Sequence, residues 1–439
     1  MFELDRVKII LDITPFKNGF YADASRSGIF FTIKNVLSEL LKRADVELYF
    51  NISCYEPDSF VKTALVIGRE FPENAEFILS RLAYDRGGLS GVTNKLFRFL
   101  LSWKERCRHV PFAGVFLSAC NFLLRRTVGK ISGFPAGKIC GTEEWNGGSF
   151  LSLMYAIPEH VKAIIPAERR FTLLYDTIPT VCAGKVADNP WYNELISKLS
   201  AQENYLAISS STAGDFKRLF SELSNKDIPV VMLAAGKGFS PEADMEKAEK
   251  IRKKYNISKS KKIIFSHCSF APHKNLERLL KAFVRFSAAR EDYQIVFGGS
   301  AAGVRKTQLL ESAGVDRERG DIIFTGYLDD DEVPELYRMA EIFVFVSLYE
   351  GFGLPVLEAM SCGTPSLVSR TSSIPEVAGD AALTVDPYDE DAIFTGLERL
   401  ASSPELRTEM RQKGFVRAAG FSWSSTTETI VKYIAEKRL

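Results

Sequence analysis

The sequence of 439 residues has no long apolar run, almost no net charge, only four histidines and no closely spaced pair of cysteines. Each absence excludes something. No stretch reaches the roughly eighteen uninterrupted apolar residues of a spanning helix, so any membrane contact is expected to be peripheral. The N-terminus, MFELDRVKIILDI, has acidic residues and a strand-like run where a signal peptide needs a basic start and a longer apolar core. Export is therefore not expected, and the chain reads as cytoplasmic. Fifty-six basic against 55 acidic residues leave a formal charge of +1, so no global field points to nucleic acid, and any anion site must be local. The seven cysteines are scattered and odd in number, as in a reducing compartment where most serve as small buried apolar residues. With so few histidines and no Asp-x-Asp triplet, no resident metal or cofactor is expected. Asp329-Asp330-Asp331 precedes the apolar spacing of Val333, Leu336 and Tyr337 and reads as a helix N-terminal cap. Internal repeats and low-complexity segments are also missing.

The chain is long enough for two domains, and its 46% hydrophobic and 25% charged content is that of an ordinary folded protein. Val7 to Ile13 reads as a buried parallel strand closed by Thr14-Pro15. After a loop containing Gly19, Ser27 and Gly28, the three-and-four spacing of Ile29, Ile33, Val36, Leu37, Leu40 and Leu41 predicts an amphipathic helix. Further strands are expected at Phe171 to Tyr175, Tyr205 to Ile208 and Val230 to Leu233. A charged segment from Glu242 to Lys262 then reads as a linking helix, which places a domain boundary near residue 235. Beyond it, strands are expected at 262–266, 294–298, 322–325, 342–346, 366–369 and 382–385, nearly all separated by helical patterns. That rhythm describes an α/β chain with doubly wound parallel sheets, whose ligands lie beyond the carboxyl ends of the strands.

Between Asn94 and Lys130, eight basic residues stand against the single acid Glu105, with aromatic and aliphatic residues between them. A pair of helices with solvated basic faces accounts for this pattern; docking on a membrane surface is the sharper alternative.

The most informative passage is Ile342 to Ser369, IFVFVSLYEGFGLPVLEAMSCGTPSLVS. A strand leads into a loop with Glu350, Gly351 and Gly353. Pro355 then sits where a first helical turn tolerates a missing N–H, and Gly363 with Pro365 closes the helix. Glycines that admit a ligand close to backbone amides, beside the positive end of a helix, suit a diphosphate. Carboxylates repel phosphate but can accept hydrogen bonds from hydroxyls of a sugar and a ribose, which Glu350 and Glu358 could do. Alternatively, both are surface residues flanking a structural turn.

Glu350 to Met360, followed by Gly363-Thr364-Pro365, resembles the donor-site signature of retaining glycosyltransferases of family 4, which have the GT-B fold of two Rossmann-like domains facing a cleft. The resemblance implies that Glu350 lies near the transferred sugar, that the amides of Gly351, Phe352, Gly353 and Leu354 meet the diphosphate of a nucleotide-sugar donor, and that Glu358 holds the ribose. It covers essentially the whole second half, 236–420, and patches of 1–235; in the family the last helix, here 421–439, often returns to the first domain. His273-Lys274-Asn275-Leu276 resembles the segment whose lysine neutralises the leaving diphosphate, and such an ammonium at a strand's carboxyl end is suited to that. Gly326-Tyr327 matches the nucleobase rest, and Ser373 to Val377 matches a stretch beneath the donor loop. Ser27-Gly28 resembles the glycine turn that faces the diphosphate from the first domain, with fewer glycines than is usual.

Two departures stand out. The family's His-Asp pair is replaced by Tyr175-Asp176, and an arginine usual six residues before the lysine is replaced by Cys268. Tyr175 either hydrogen-bonds the sugar or is core; both readings stay open. The resemblance implies a metal-independent, retaining transfer of a hexose. The Tyr-Asp-x-Ile-Pro variant resembles bacterial mannosyl- and rhamnosyltransferases of surface polysaccharide synthesis, which makes GDP-mannose the expected donor and a glycan or lipid-linked oligosaccharide the expected acceptor. Such an acceptor would give residues 94–130 a reason to lie at the inner face of the cytoplasmic membrane. The alternatives are another GT-B enzyme, such as a nucleotide-sugar epimerase or a sucrose synthase-like protein, and a donor-binding relative without catalysis. A nicotinamide dehydrogenase fits poorly, because no Gly-x-Gly-x-x-Gly turn follows the first strand.

Overall fold

A computed structural model describes residues 6–20, 28–52, 59–85, 139–140, 143–183, 189–299, 303–315 and 319–438. The basic region 94–130 and Ser27 therefore lie outside the described residues. Among those described, no helix is long and apolar enough to cross a membrane.

Two sheets organise the chain, as two Rossmann-like folds require. The first comprises β1 (Val7–Asp12), β2 (Val46–Asn51), β3 (Leu82–Asp85), β4 (Ile139–Cys140), β5 (Ser149–Ser152), β6 (Arg170–Leu174) and β7 (Asn204–Ala207). Its order is β4-β3-β2-β1-β5-β6-β7. β1 pairs in parallel with both β2 and β5, whereas β3 meets β4 antiparallel. Ile9, Ile10 and Leu11 are fully buried, which explains why β1 reads as an unbroken apolar run. The helix Gly28–Leu40 follows, with Phe30, Ile33, Val36, Leu37 and Leu40 turned inward at the expected spacing.

The second sheet holds β8 (Lys262–His267), β9 (Tyr293–Gly298), β10 (Ile322–Gly326), β11 (Ile342–Phe345), β12 (Ser366–Ser369) and β13 (Leu383–Val385), in the order β10-β9-β8-β11-β12-β13. Every strand expected in this half is present within a residue or two. Its core gathers Ile264, Phe283, Ile295, Val344 and Leu397 with their neighbours. The order of strands reverses between β8 and β11, and ligands of open parallel sheets bind at such a switch point.

The expected strand at Val230 to Leu233 is not formed. Pro229 and Val231 make only two hydrogen bonds to Ala207, at 3.0 and 2.8 Å, and the result is a single bridge between Ala207 and Val230. β7 has no length left to pair further, because Ser209 already caps the next helix. The charged linker contains the helix Met245–Lys254, and the cap expected from Asp329 to Asp331 is also absent. Asp331 and Asp329 instead pair with Lys247 and Lys254 at 2.7 and 3.2 Å, and Glu332 occupies the N-cap position of the helix Val333–Met339.

By compactness the chain divides into Met1–Leu173 with Gln202–Asn204 and Val431–Leu439, and Leu174–Ala201 with Tyr205–Ile430. The boundary read from sequence, near residue 235, differs: the segments from Leu174 and from Tyr205 group with the second unit. Within that unit Thr212 Oγ1 reaches both Tyr175 O and Gly351 O, and the Ser210 N–H donates to Glu376.

Candidate donor site

Lys274, Glu350 and the residues around them all belong to the second unit. β8 ends at His267 and is followed by the 3-10 turn Pro272–Lys274 and the helix Leu276–Ser287. Asn275 joins the two in a left-handed conformation, with φ 60°. Asparagine tolerates this, and its buried amide donates to Val346 O at 3.0 Å and to Pro387 O at 2.6 Å. The turn is thereby fixed to the end of β11, and Lys274 stands between the two central strands.

From β11 the chain passes through Glu350 to Gly353, which takes φ 112° and opens the helix Leu354–Cys362. Gly363 ends it at φ 78°. Both glycines stand in the left-handed region that side chains avoid.

Lys274 Nζ lies 2.6 Å from Glu350 Oε1, and the two side chains are only 14% and 10% exposed. Burial pulls the lysine down, but the Glu350 charge and its other neighbours outweigh that and hold the ammonium above its ordinary value. Phe345 supplies an aromatic face 5.5 Å from the same ammonium. A buried ion pair so short fixes both partners and places one cation and one acceptor at the carboxyl end of the sheet.

The Glu350 loop is held on both sides by hydroxyls. Glu350 N–H donates to Ser372 Oγ at 2.9 Å, and Ser373 Oγ donates to the carbonyls of Glu350 and Phe352 at 2.9 and 2.8 Å. The segment Ser373 to Val377 thus lies against the loop as expected. From the other side, Ser209 Oγ and Thr212 Oγ1 donate to Gly351 O at 2.7 and 3.1 Å. Thr212 Oγ1 also reaches Tyr175 O at 3.0 Å. A Cβ on Gly351 would stand 2.1 Å from Tyr175 O and 2.8 Å from the Asp176 Cβ, so glycine is required by close approach. Tyr349 OH completes the clamp, donating to Asp215 Oδ2 at 2.5 Å and lying 2.9 Å from Thr177 Oγ1.

Tyr175 is buried. Burial, opposed by the Ile178 N–H and reinforced by the Glu350 charge, raises Asp176 to about 6. His273 is buried with Nδ1 lacking a hydrogen-bond partner, and burial with the nearby Lys274 charge lowers it to about 4. With no ligand bound the ring is therefore neutral at physiological pH. Cys268, at the arginine's position, has its thiol pushed up to about 12 by burial, so it too brings no charge.

Glu358, on the helix Leu354–Cys362, is raised to about 7 by burial, against the hydrogen bond at 3.0 Å from Tyr337 OH. At the end of β10, Gly326 takes φ 71°, and Tyr327 after it is 37% exposed. Gly28, by contrast, is the first residue of a helix in the first unit. Among the described residues no cluster of His, Cys, Asp or Glu is arranged to hold a metal ion.

The structure therefore joins Lys274, Glu350, Gly351, Tyr175 and Asp176 directly. Ser209, Thr212, Ser372 and Tyr337 were not read as site residues from sequence. A Ser-x-x-Thr pattern ahead of a helix was the one available signal for the first two, and it speaks only of capping.

Residues 247–417 match the family described as glycosyl transferases group 1. The O-antigen chain mannosyltransferase B of Escherichia coli is 32% identical over 271 residues, which cover 61% of this chain and 70% of that protein. The serotype-specific mannosyltransferase WbdA of Escherichia coli is 29% identical over 281 residues, covering 61% of this chain and 34% of that protein, so the chain spans about a third of that relative. Among solved structures, a sucrose-phosphate synthase from Thermosynechococcus elongatus aligns over 98% of this chain and 99% of its own, with a TM-score of 0.64 at 15% identity, a likeness of fold. Signature, sheet order and kinship agree: the chain belongs to the glycosyl transferases group 1 and is a glycosyltransferase of the GT-B fold.

Proposed function

We propose that this glycosyltransferase moves mannose from GDP-mannose, with retention of configuration and without a metal ion, onto a growing bacterial glycan or lipid-linked oligosaccharide such as O-antigen. The observation that carries the donor-site reading is the ion pair of Lys274 and Glu350 at 2.6 Å, at the carboxyl ends of the central strands and beside a glycine loop that opens a helix. The Escherichia coli relatives are named as mannosyltransferases, which supports the choice of sugar.

In this reading the donor diphosphate rests against the amides of Gly351 to Leu354, where a helix start leaves N–H groups without intrahelical partners. Lys274 then shares its ammonium between Glu350 and the leaving oxygen. The acceptor hydroxyl attacks the anomeric carbon from the side of the leaving group. The bond from that carbon to the diphosphate oxygen breaks, and a phosphate oxygen takes the hydroxyl proton. Glu350 accepts from sugar hydroxyls and stabilises positive charge at the reacting carbon. Glu358 accepts from the ribose, and Gly326-Tyr327 supports the base. Tyr175 and Asp176 brace the Gly351 turn from beneath the sugar.

Thermal unfolding with GDP-, UDP-, ADP- and dTDP-sugars in EDTA tests the donor, because a ligand at a hundred times its Kd stabilises by about 2.7 kcal/mol. GDP-mannose should give the largest shift, and the glycosidic product should keep the α configuration by NMR. A larger shift with another sugar nucleotide, an inverted product, or activity lost in EDTA would each refute the corresponding part.

A further inference from the structure

Tyr337 stands outside every motif that marks the donor site, yet its phenol makes the hydrogen bond to Glu358, 3.0 Å from Oε2. The residue is fully buried on the helix Val333–Met339. Its ring is packed edge-on against Phe265, Phe343 and His267, with centroids at 5.2, 5.0 and 6.2 Å. Its carbonyl accepts from Thr364 Oγ1 at 2.6 Å, which ties it to the residue just past the helix that carries Glu358. Phe239 adds a fourth ring at 5.9 Å, and a phenol so enclosed and tied by its own backbone holds its O–H on Glu358.

We infer that Tyr337 is a positioning residue for donor binding: its hydroxyl orients the Glu358 carboxylate and stabilises its ionised form, so that the acid accepts from a nucleotide ribose. This rests on the reading of Glu358 as the ribose acceptor. Burial raises the Tyr337 phenol well above its ordinary value, with the Glu358 charge adding to that, so it stays a donor throughout the accessible range. Of the charged groups nearby, Arg338, beside Tyr337 on the same helix, is engaged with Glu335 and with the carbonyls of Ser240 and Gly238. Burial pushes Cys362, on the helix Leu354–Cys362, and Cys268, just past β8, up to about 12, and burial with the Lys274 charge lowers His267, on β8, to about 4. Glu358 thus has the Tyr337 hydroxyl to favour its charge, and burial raises it to about 7. The ionised fraction in the free protein is set by the balance between burial and this hydroxyl.

The test is calorimetric titration of GDP into wild type, Tyr337→Phe and Glu358→Gln between pH 6 and 9. In wild type, affinity should rise through a midpoint near pH 7. A hydrogen bond to a charged group is strong enough to move the midpoint of Tyr337→Phe up by about one unit, so its affinity should fall roughly fivefold at pH 7 and recover by pH 9. Glu358→Gln should bind weakly at every pH, without that midpoint. If Glu358→Gln binds GDP as wild type does, the ribose reading fails and the inference with it. If Glu358→Gln weakens binding but Tyr337→Phe keeps the wild-type midpoint, or loses affinity equally at all pH values, the inference alone is overturned. Should Tyr337→Phe not fold, protein made with fluorotyrosine, a stronger donor, must lower the midpoint; an unchanged midpoint overturns the inference.

Discussion

Gly351→Ala adds a single methyl group at the tightest point of the donor loop. The new Cβ would meet the Tyr175 carbonyl oxygen at 2.1 Å and the Asp176 Cβ at 2.8 Å. An ordinary contact needs more than an ångström of extra room at that oxygen, and neither group is the free end of a flexible side chain. Either the loop or the Tyr175-Asp176 segment must retreat. Retreat lengthens the bonds from Ser209 and Thr212 to Gly351 O, now 2.7 and 3.1 Å, and shifts Glu350 from Lys274. Overpacking of this kind costs about 1–3 kcal/mol of stability, and a displacement near 1 Å at a reacting centre costs about a hundredfold in rate. Steady-state kcat/KM and urea unfolding measure the two effects. Gly214→Ala is the control, because that exposed glycine lies in the helix Ser210–Leu219 with open space around its Cβ position. It should raise stability by roughly 0.5–1 kcal/mol and leave kcat/KM unchanged. A Gly351→Ala protein within twofold of wild-type activity would refute the reasoning.

Further expectations follow from the same contacts. Lys274→Met leaves Glu350 buried without its ion-pair partner and should cost roughly 3–5 kcal/mol in urea unfolding, more than Lys274→Met combined with Glu350→Leu; equal losses would contradict this. Asp176 has its folded value raised to about 6 from 3.8, so its contribution to stability is fully present below the unfolded value and is lost as pH rises through 6. Asp176→Asn should therefore gain stability relative to wild type between pH 4 and 7, and a constant difference across that range would count against the burial argument. Ser209→Ala removes both a helix cap and a bond to Gly351 O, and should cost about 1–2 kcal/mol in thermal unfolding while raising the KM for donor.

Much of the second unit could be read from sequence because its central strands are buried on both faces. Ile263 to Phe265 and Ile342 to Val346 are almost wholly inaccessible, so they appear as continuous apolar runs bounded by glycine and helix caps. The first half was harder. β2 mixes Glu47 and Asn51 into its run, and β5 is Ser-Phe-Leu-Ser, whose buried hydroxyls give no periodic signal. The donor loop itself was legible, since its glycines and prolines do their work locally in φ. The clamp around it was not. Ser209, Thr212 and Tyr337 reach Gly351 and Glu358 from other elements of the fold, and the sequence around each reads as an ordinary cap or core position. The same long-range packing draws Tyr175 and Asp176 into the second unit, where composition alone put the boundary near residue 235.

Central to the proposed function is a donor diphosphate held between Lys274 and the start of the helix Leu354–Cys362. A crystal structure of the protein soaked with GDP-mannose tests this most directly. Pyrophosphate density is expected within hydrogen-bonding distance of Lys274 Nζ and of the amides following Gly351, with a sugar hydroxyl on Glu350. Nucleotide bound elsewhere, or a Lys274–Glu350 pair left closed with no phosphate beside it, would contradict it.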